Sequence, residues 1–118
     1  MKYIIPIILV AVACVTASTD ETQSSWYGEK YRGNMCADGK TRFDPDKMTC
    51  ASWDYPFGTV LEVKYQGKKV RVTVTDRGPA MRYYRKGRRL DLARAAFAKL
   101  TDGNTDIGII TVEIRKVK

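Results

Sequence analysis

The sequence predicts a mainly β protein, a small closed barrel of short strands with one short helix. Three observations carry this. Residues 60–65 and 70–75 alternate apolar and polar side chains with the period of two that marks half-buried strands. Outside one alanine-rich stretch at 92–100, the chain is a series of short strand-like runs punctuated by Gly and Pro. The 118 residues suffice for one domain and not for two. Short strands in one small domain are best protected by closure, which removes exposed edges.

The N-terminus reads differently from the rest. Lys2 precedes an apolar run over residues 3–13, and Thr19, Asp20 and Glu21 follow. This is the layout of a secretory signal peptide, assigned to residues 1–17. A membrane anchor or a buried strand is the weaker reading, because the run is short for a helix across a bilayer of about 30 Å. Two cleavage routes are legible. Val15, Thr16 and Ala17 offer small residues before Ser18, while Ala11, Val12, Ala13 and Cys14 resemble a lipobox whose cysteine would be lipidated and attach the chain to a membrane.

Export shapes the other expectations. The net charge is +8; removing residues 1–17 takes away only Lys2 and leaves +7. A basic exported protein meets anionic wall polymers or phospholipid surfaces before nucleic acid, so no nucleic-acid partner is expected. The chain has no histidine, which removes imidazole metal ligands, Ser-His triads and Cys-His pairs together. No metal or cofactor is expected, and a monomer is. Of three cysteines, Cys36 and Cys50 are left as a pair once Cys14 is cleaved off or acylated. Export favours a disulfide between them, with two free buried thiols as the alternative.

Residues 18–23 read as a linker and 24–118 as the domain. A first short strand covers 25–28, and 29–47 is loop-like, with Gly33, Gly39 and Pro45 as punctuation. Residues 48–51 form a short strand, and Pro56 and Gly58 mark a turn. In 60–65, Leu61, Val63 and Tyr65 alternate with Glu62 and Lys64; in 70–75, Val70, Val72 and Val74 alternate with Arg71, Thr73 and Thr75. Residues 66–68 turn one strand into the other as a hairpin. The next segment, 80–90, is a basic loop in which Arg82, Arg85, Lys86, Arg88 and Arg89 crowd Tyr83 and Tyr84. It reads either as a solvated loop or as a holder of anionic glycan or phosphate. Asp91 is an N-cap for a helix over 92–100, with Leu92, Ala96 and Leu100 on one face, ended by Asp102 and Gly103. A closing strand covers 109–117, with Ile110, Val112 and Ile114 on one side.

Three stretches carry a resemblance. They are Ser25-Trp26-Tyr27-Gly28, then Pro56-Phe57-Gly58-Thr59, then Thr75-Asp76-Arg77-Gly78-Pro79 followed by Leu90-Asp91-Leu92-Ala93-Arg94-Ala95-Ala96. In this order and spacing the chain resembles the rare lipoprotein A-like double-psi β-barrel family of septal-ring-type lytic transglycosylases, with expansins and barwin-type endoglucanases as more distant relations. The match covers residues 24–116. The resemblance implies a six-stranded double-psi β-barrel crossed by a shallow glycan groove. It implies endolytic transglycosylase activity on peptidoglycan strands poor in stem peptides. It also implies a periplasmic or envelope location, as an outer-membrane lipoprotein or a secreted protein.

That chemistry needs at least one positioned carboxyl. The sugar's own hydroxyl closes onto the anomeric carbon and leaves an anhydro-muramyl end, so one group can serve as acid and then base. A hydrolase normally needs two carboxyls, one on each side of the bond. Asp76 matches the family Asp of the Asp-Arg-Gly-Pro motif and ranks first, against the plainer role of a turn-capping Asp. Asp91 ranks second, as support, against its role as N-cap. Among the aromatic residues Trp26, Tyr27, Trp53, Tyr55 and Phe57, the reading makes Trp53 and Tyr55 sugar platforms and Tyr27 and Phe57 core. Arg77 and Ser52 complete the expected substrate contacts. Two positions depart from the family pattern: Lys40 stands where it carries a Glu, and Ser52 where it carries a His. Asp38, Asp44 and Asp46 are further carboxyls nearby. The departures suit the alternative function, a non-catalytic, expansin-like wall-binding or wall-loosening module.

Overall fold

The structure is a computed structural model that describes residues 19–118. The expected signal segment, both cleavage sites and Cys14 lie outside the described residues. Six strands close into a barrel: β1 (Asp20–Tyr27), β2 (Thr49–Ala51), β3 (Val60–Tyr65), β4 (Lys68–Asp76), β5 (Arg88–Ala93) and β6 (Ile110–Lys116). Around the barrel the order is β1-β5-β2-β4-β3-β6. β1 runs parallel to β5 and β2 parallel to β4; the other pairings are antiparallel. This closed mixed barrel with one main helix is the architecture that the sequence predicts.

The hairpin β3–β4 forms as its alternation requires. Leu61, Val63, Val70, Val72 and Val74 point inward and are buried. Gln66 and Gly67 both take positive φ, 48° and 83°, the geometry of a two-residue turn whose twist matches its strands. From β6, Ile110, Val112 and Ile114 complete that wall. The main helix, α2 (Arg94–Thr101), buries Ala96, Phe97 and Leu100 against the barrel. Trp26 packs on this face, with its ring 6.4 Å from Phe97. The helix ends at Asp102 in the left-handed region, and the Gly103 N–H donates back to the Ala98 carbonyl at 2.8 Å.

Four expectations change. β1 starts at Asp20, earlier than the sequence suggests, because its inward positions Thr22 and Ser24 are hydroxyls rather than hydrocarbons. Thr22 Oγ1 donates to the Gly87 carbonyl at 3.0 Å, and Ser24 Oγ donates to the Ser25 carbonyl at 3.0 Å, so neither group is orphaned. The basic loop carries a short helix, α1 (Met81–Tyr84), and then the strand β5. Asp91 therefore lies within β5 and is no cap; the residue before α2 is Ala93, which makes no side-chain cap bond. Finally, Cys36 and Cys50 are free thiols and not a disulfide. Cys50 points into the barrel core, whereas Cys36 belongs to a second apolar cluster with Phe43 and Ala93. The two side chains serve different packing layers.

Candidate active site

The strand order brings both motif carboxyls to one place. β2 lies between β4 and β5, and its Ala51 is the Cα partner of Asp76 on one side and of Asp91 on the other. The two aspartate backbones thus stand two interstrand spacings apart, about 10 Å. Between them Ala51, buried and with only a methyl group, leaves a depression. The wall beside it is equally close-fitting: a Cβ on Gly78 would sit 3.3 Å from that of Ala51. Two adjoining hollows, of about 230 and 500 Å³, share Tyr27, Tyr31, Pro79, Ala80 and Asp91 and form one groove; the smaller also takes in Ala51 and Asp76. A separate hollow of about 510 Å³, lined by Tyr65, Ile107 and Ile109, holds none of the motif residues.

The two carboxyls are held differently. Asp76 Oδ1 accepts from the backbone N–H of Ala37 at 2.9 Å and of Arg77 at 3.0 Å. Its Oδ2 accepts from Tyr27 Oη at 3.3 Å. Burial, then the Asp76 charge, push the Tyr27 phenol far above its ordinary range, so it stays a donor. Its ring is stacked on Phe43 with centroids 4.1 Å apart, which fixes its aim. Among the described residues Asp91 has a single side-chain partner, Ser25 Oγ at 3.2 Å, its cross-strand neighbour on β1. Burial raises the Asp91 carboxyl to about 6. The Ser25 bond and the Arg88 charge oppose that rise, and the Asp76 charge adds to it.

The other expected contacts divide. Ser52 is buried, its Oγ accepting from the Asp54 N–H at 3.0 Å, so it does not face the groove. Tyr55 packs partly buried against the main core instead of forming a platform. Trp53 is exposed, and its indole N–H donates to the Pro79 carbonyl at 2.7 Å, which ties it to the groove rim. Arg77 lines the groove, yet its Nη1 donates to the Ser52 and Tyr55 carbonyls, each at 2.7 Å, and its guanidinium lies 3.8 Å from the Phe57 ring. It braces two loops. Of the other acidic residues, Asp38 caps its own turn through Lys40 and Thr41, and Asp44 and Asp46 pair with Arg32. Lys40 is exposed. Sequence reasoning misses Ser25 and Tyr31 as lining residues and assigns Tyr27 to the core. Ser25 and Tyr27 share a strand face by their spacing, but their proximity to Asp91 follows only once β5 is known to be a strand.

Comparison with known proteins identifies the family and the fold. A family model described as lytic transglycolase matches residues 19–114. The chain is 43% identical over 97 residues to the Aquifex aeolicus protein named "Probable endolytic peptidoglycan transglycosylase RlpA", covering 80% of this chain and 40% of that one. It is 37% identical over 94 residues to the endolytic peptidoglycan transglycosylase RlpA of Yersinia pestis, covering 77% of this chain and 25% of that one. It thus spans well under half the length of these curated relatives. Among solved structures, the apo expansin of Clavibacter michiganensis superposes with a TM-score of 0.66 at 26% identity, over 86% of this chain and 51% of that one.

Proposed function

The chain belongs to the RlpA-like double-psi β-barrel family, and we propose that it is an endolytic lytic transglycosylase that cuts peptidoglycan glycan strands poor in stem peptides. The observation that carries the proposal is Asp91. It is a desolvated carboxyl in a groove, facing a second carboxyl across Ala51. Such a pair, with one proton held high and one charge fixed, is the acid–base arrangement that glycosidic cleavage needs.

In the proposed reaction Asp91 acts first as acid. Its proton passes to the glycosidic oxygen, the bond from that oxygen to the muramyl anomeric carbon breaks, and the leaving sugar departs with a free hydroxyl. Asp76, held by two backbone amides and Tyr27, faces the positive charge that develops on the sugar ring. The muramyl residue's own hydroxymethyl oxygen then bonds to the anomeric carbon and gives its proton to the Asp91 carboxylate. The product is an anhydro-muramyl end, the acid is regenerated, and no water is consumed. The motif alone ranks Asp76 as the acid; desolvation of Asp91 reverses the order. On this reading neither Lys40 nor Ser52 takes part in proton transfer.

The same proposal includes an envelope location, export through residues 1–17 by signal cleavage or lipidation at Cys14, a monomeric state and no nucleic-acid partner. The test is incubation with stem-peptide-free glycan strands at pH 5.5, followed by mass spectrometry of the products. Anhydro-muramyl ends support the proposal. Reducing ends would indicate a hydrolase, and binding without cleavage a wall-binding module.

A further inference from the structure

The groove holds one more charged feature besides its two carboxyls. Arg82 and Arg88 line its larger hollow together with Asp91 and Tyr83. Both guanidiniums lie against the Tyr83 ring, at 4.7 Å and 4.2 Å from its centroid, and Arg82 Nη2 donates to Tyr83 Oη at 3.2 Å. The aromatic ring thus gathers two cations that would otherwise repel each other. Among the described residues neither arginine forms a salt bridge, whereas the adjacent Arg89 is held by Asp20 at 2.7 Å and Asp54 at 2.9 Å. The Arg88 Nε–H is buried without an acceptor among the described residues. A buried guanidinium donor without a partner is costly and suits an incoming acceptor.

We propose that Arg82 and Arg88 form a carboxylate subsite that takes the free lactyl group of a muramyl residue whose stem peptide has been removed. This rests on the groove being the glycan site and deepens that reading, because it assigns the preference for stripped strands to two residues of this chain. In a strand that still carries its peptide, the lactyl carbonyl is a neutral amide with a bulky substituent. Once the peptide is gone it is an anion, able to form charge-assisted, two-pronged bonds to a guanidinium. The subsite shares a hollow with Asp91, so the muramyl residue it holds lies beside the proton donor.

The test compares binding of the whole protein to three probes: stem-peptide-free strands, the same strands with lactyl carboxyls converted to methylamides, and chitin oligomers. Wild type is expected to bind the carboxylate strands about tenfold more tightly than the other two, with a preference that shrinks as salt rises. Arg88→Gln should erase the preference and leave methylamide and chitin binding unchanged, and Arg82→Gln should reduce it. Thermal melts check that both variants fold, and the wild-type comparison stands even where one does not. Equal binding of carboxylate and methylamide strands by wild type would overturn the subsite and leave the glycan groove intact. Binding to none of the probes would overturn both. A variant that weakens all three alike would show arginines that support the fold and do not read the carboxylate.

Discussion

The loop from Gly28 to Lys47 and the groove formed by the ends of β4 and β5 are both rich in carboxyls, and they treat them in opposite ways. In the loop, Glu29, Asp44 and Asp46 meet Arg32 and Arg94 in a network of ion pairs. Those contacts hold Glu29 and Asp46 below the ordinary carboxylate range, with the arginine hydrogen bonds as the leading causes. In the groove, Asp91 has a hydroxyl for a partner and is desolvated, and its carboxyl is raised to about 6. A carboxyl surrounded by guanidinium holds its charge at every ordinary pH and organises a loop. A carboxyl in a dry wall holds its proton near neutrality and can give it away. Residue type is the same in both places; the immediate partners separate them.

The largest break in that contrast comes from Asp91→Asn. The amide keeps the shape and the bond from Ser25 but has no proton to transfer, so cleavage should fall by about a hundred- to ten-thousand-fold, as measured by release of anhydro-muramyl ends. Wild-type kcat should itself decline as the pH rises through about 6, where Asp91 loses its proton. A rate that stays flat from pH 5 to 8 would remove Asp91 from the acid role.

The same group should register in stability. Its carboxyl titrates near 6 in the folded chain and near 3.9 when unfolded. Below about pH 4 both states hold the proton and burial carries no penalty. Between there and about pH 6 the unfolded state ionises first, so stability declines, and above it the folded chain carries the full cost, on the order of 3 kcal/mol. Asp91→Asn should therefore raise Tm relative to wild type at pH 7.5 and match it at pH 4. An inactive variant that is also more stable is the mark of a functional carboxyl held against its solvation.

Asp76→Asn should have an intermediate effect. The backbone amides of Ala37 and Arg77 keep an oxygen acceptor, so unfolding should change by about 1 kcal/mol or less. Loss of the negative charge facing the ring should lower kcat by roughly tenfold to a hundredfold. Because the Asp76 charge helps Asp91 hold its proton, the descending limb of the pH profile should move to lower pH in the variant. An unmoved limb would separate the two carboxyls electrostatically and return Asp76 to a turn-capping role.

The legible parts of the fold are those whose patterns are local. The β3–β4 hairpin is visible because Leu61 and Val63 face Val72 and Val70 at period two across a turn containing Gly67. β5 is not, because Leu90 and Leu92 stand among arginines and run into alanines, a mixture that also suits a loop followed by a helix. The start of β1 is hidden because hydroxyls bonded to backbone replace its inward apolar residues. Both site aspartates can be found from their motifs. Their meeting across Ala51 cannot, since it depends on a three-residue strand inserting between two distant ones. Counting cysteines pairs Cys36 with Cys50, but no count reveals that they pack into different clusters.

The smallest effect is expected on the other side of the comparison, at Asp46→Asn. Asp46 is exposed and bonds Arg32 at 3.0 Å and Arg94 at 2.8 Å, and the variant weakens both contacts. Glu29 remains to pair with each arginine, so the network loosens without collapsing. Exposed ion pairs are screened by solvent and salt, so Tm should drop only slightly, and less at high salt than at low. Arg94 opens α2, and neither it nor Asp46 lines the groove with Asp76 and Asp91. The cleavage rate and its pH profile should match wild type. Measured beside Asp91→Asn under one protocol, the pair provides a direct contrast: the same Asp→Asn change is near-silent where arginines hold the carboxyl and abolishes cleavage where burial holds the proton. A large rate loss at Asp46 would mean that the loop's charges reach the groove, and the division between structural and chemical carboxyls would have to be redrawn.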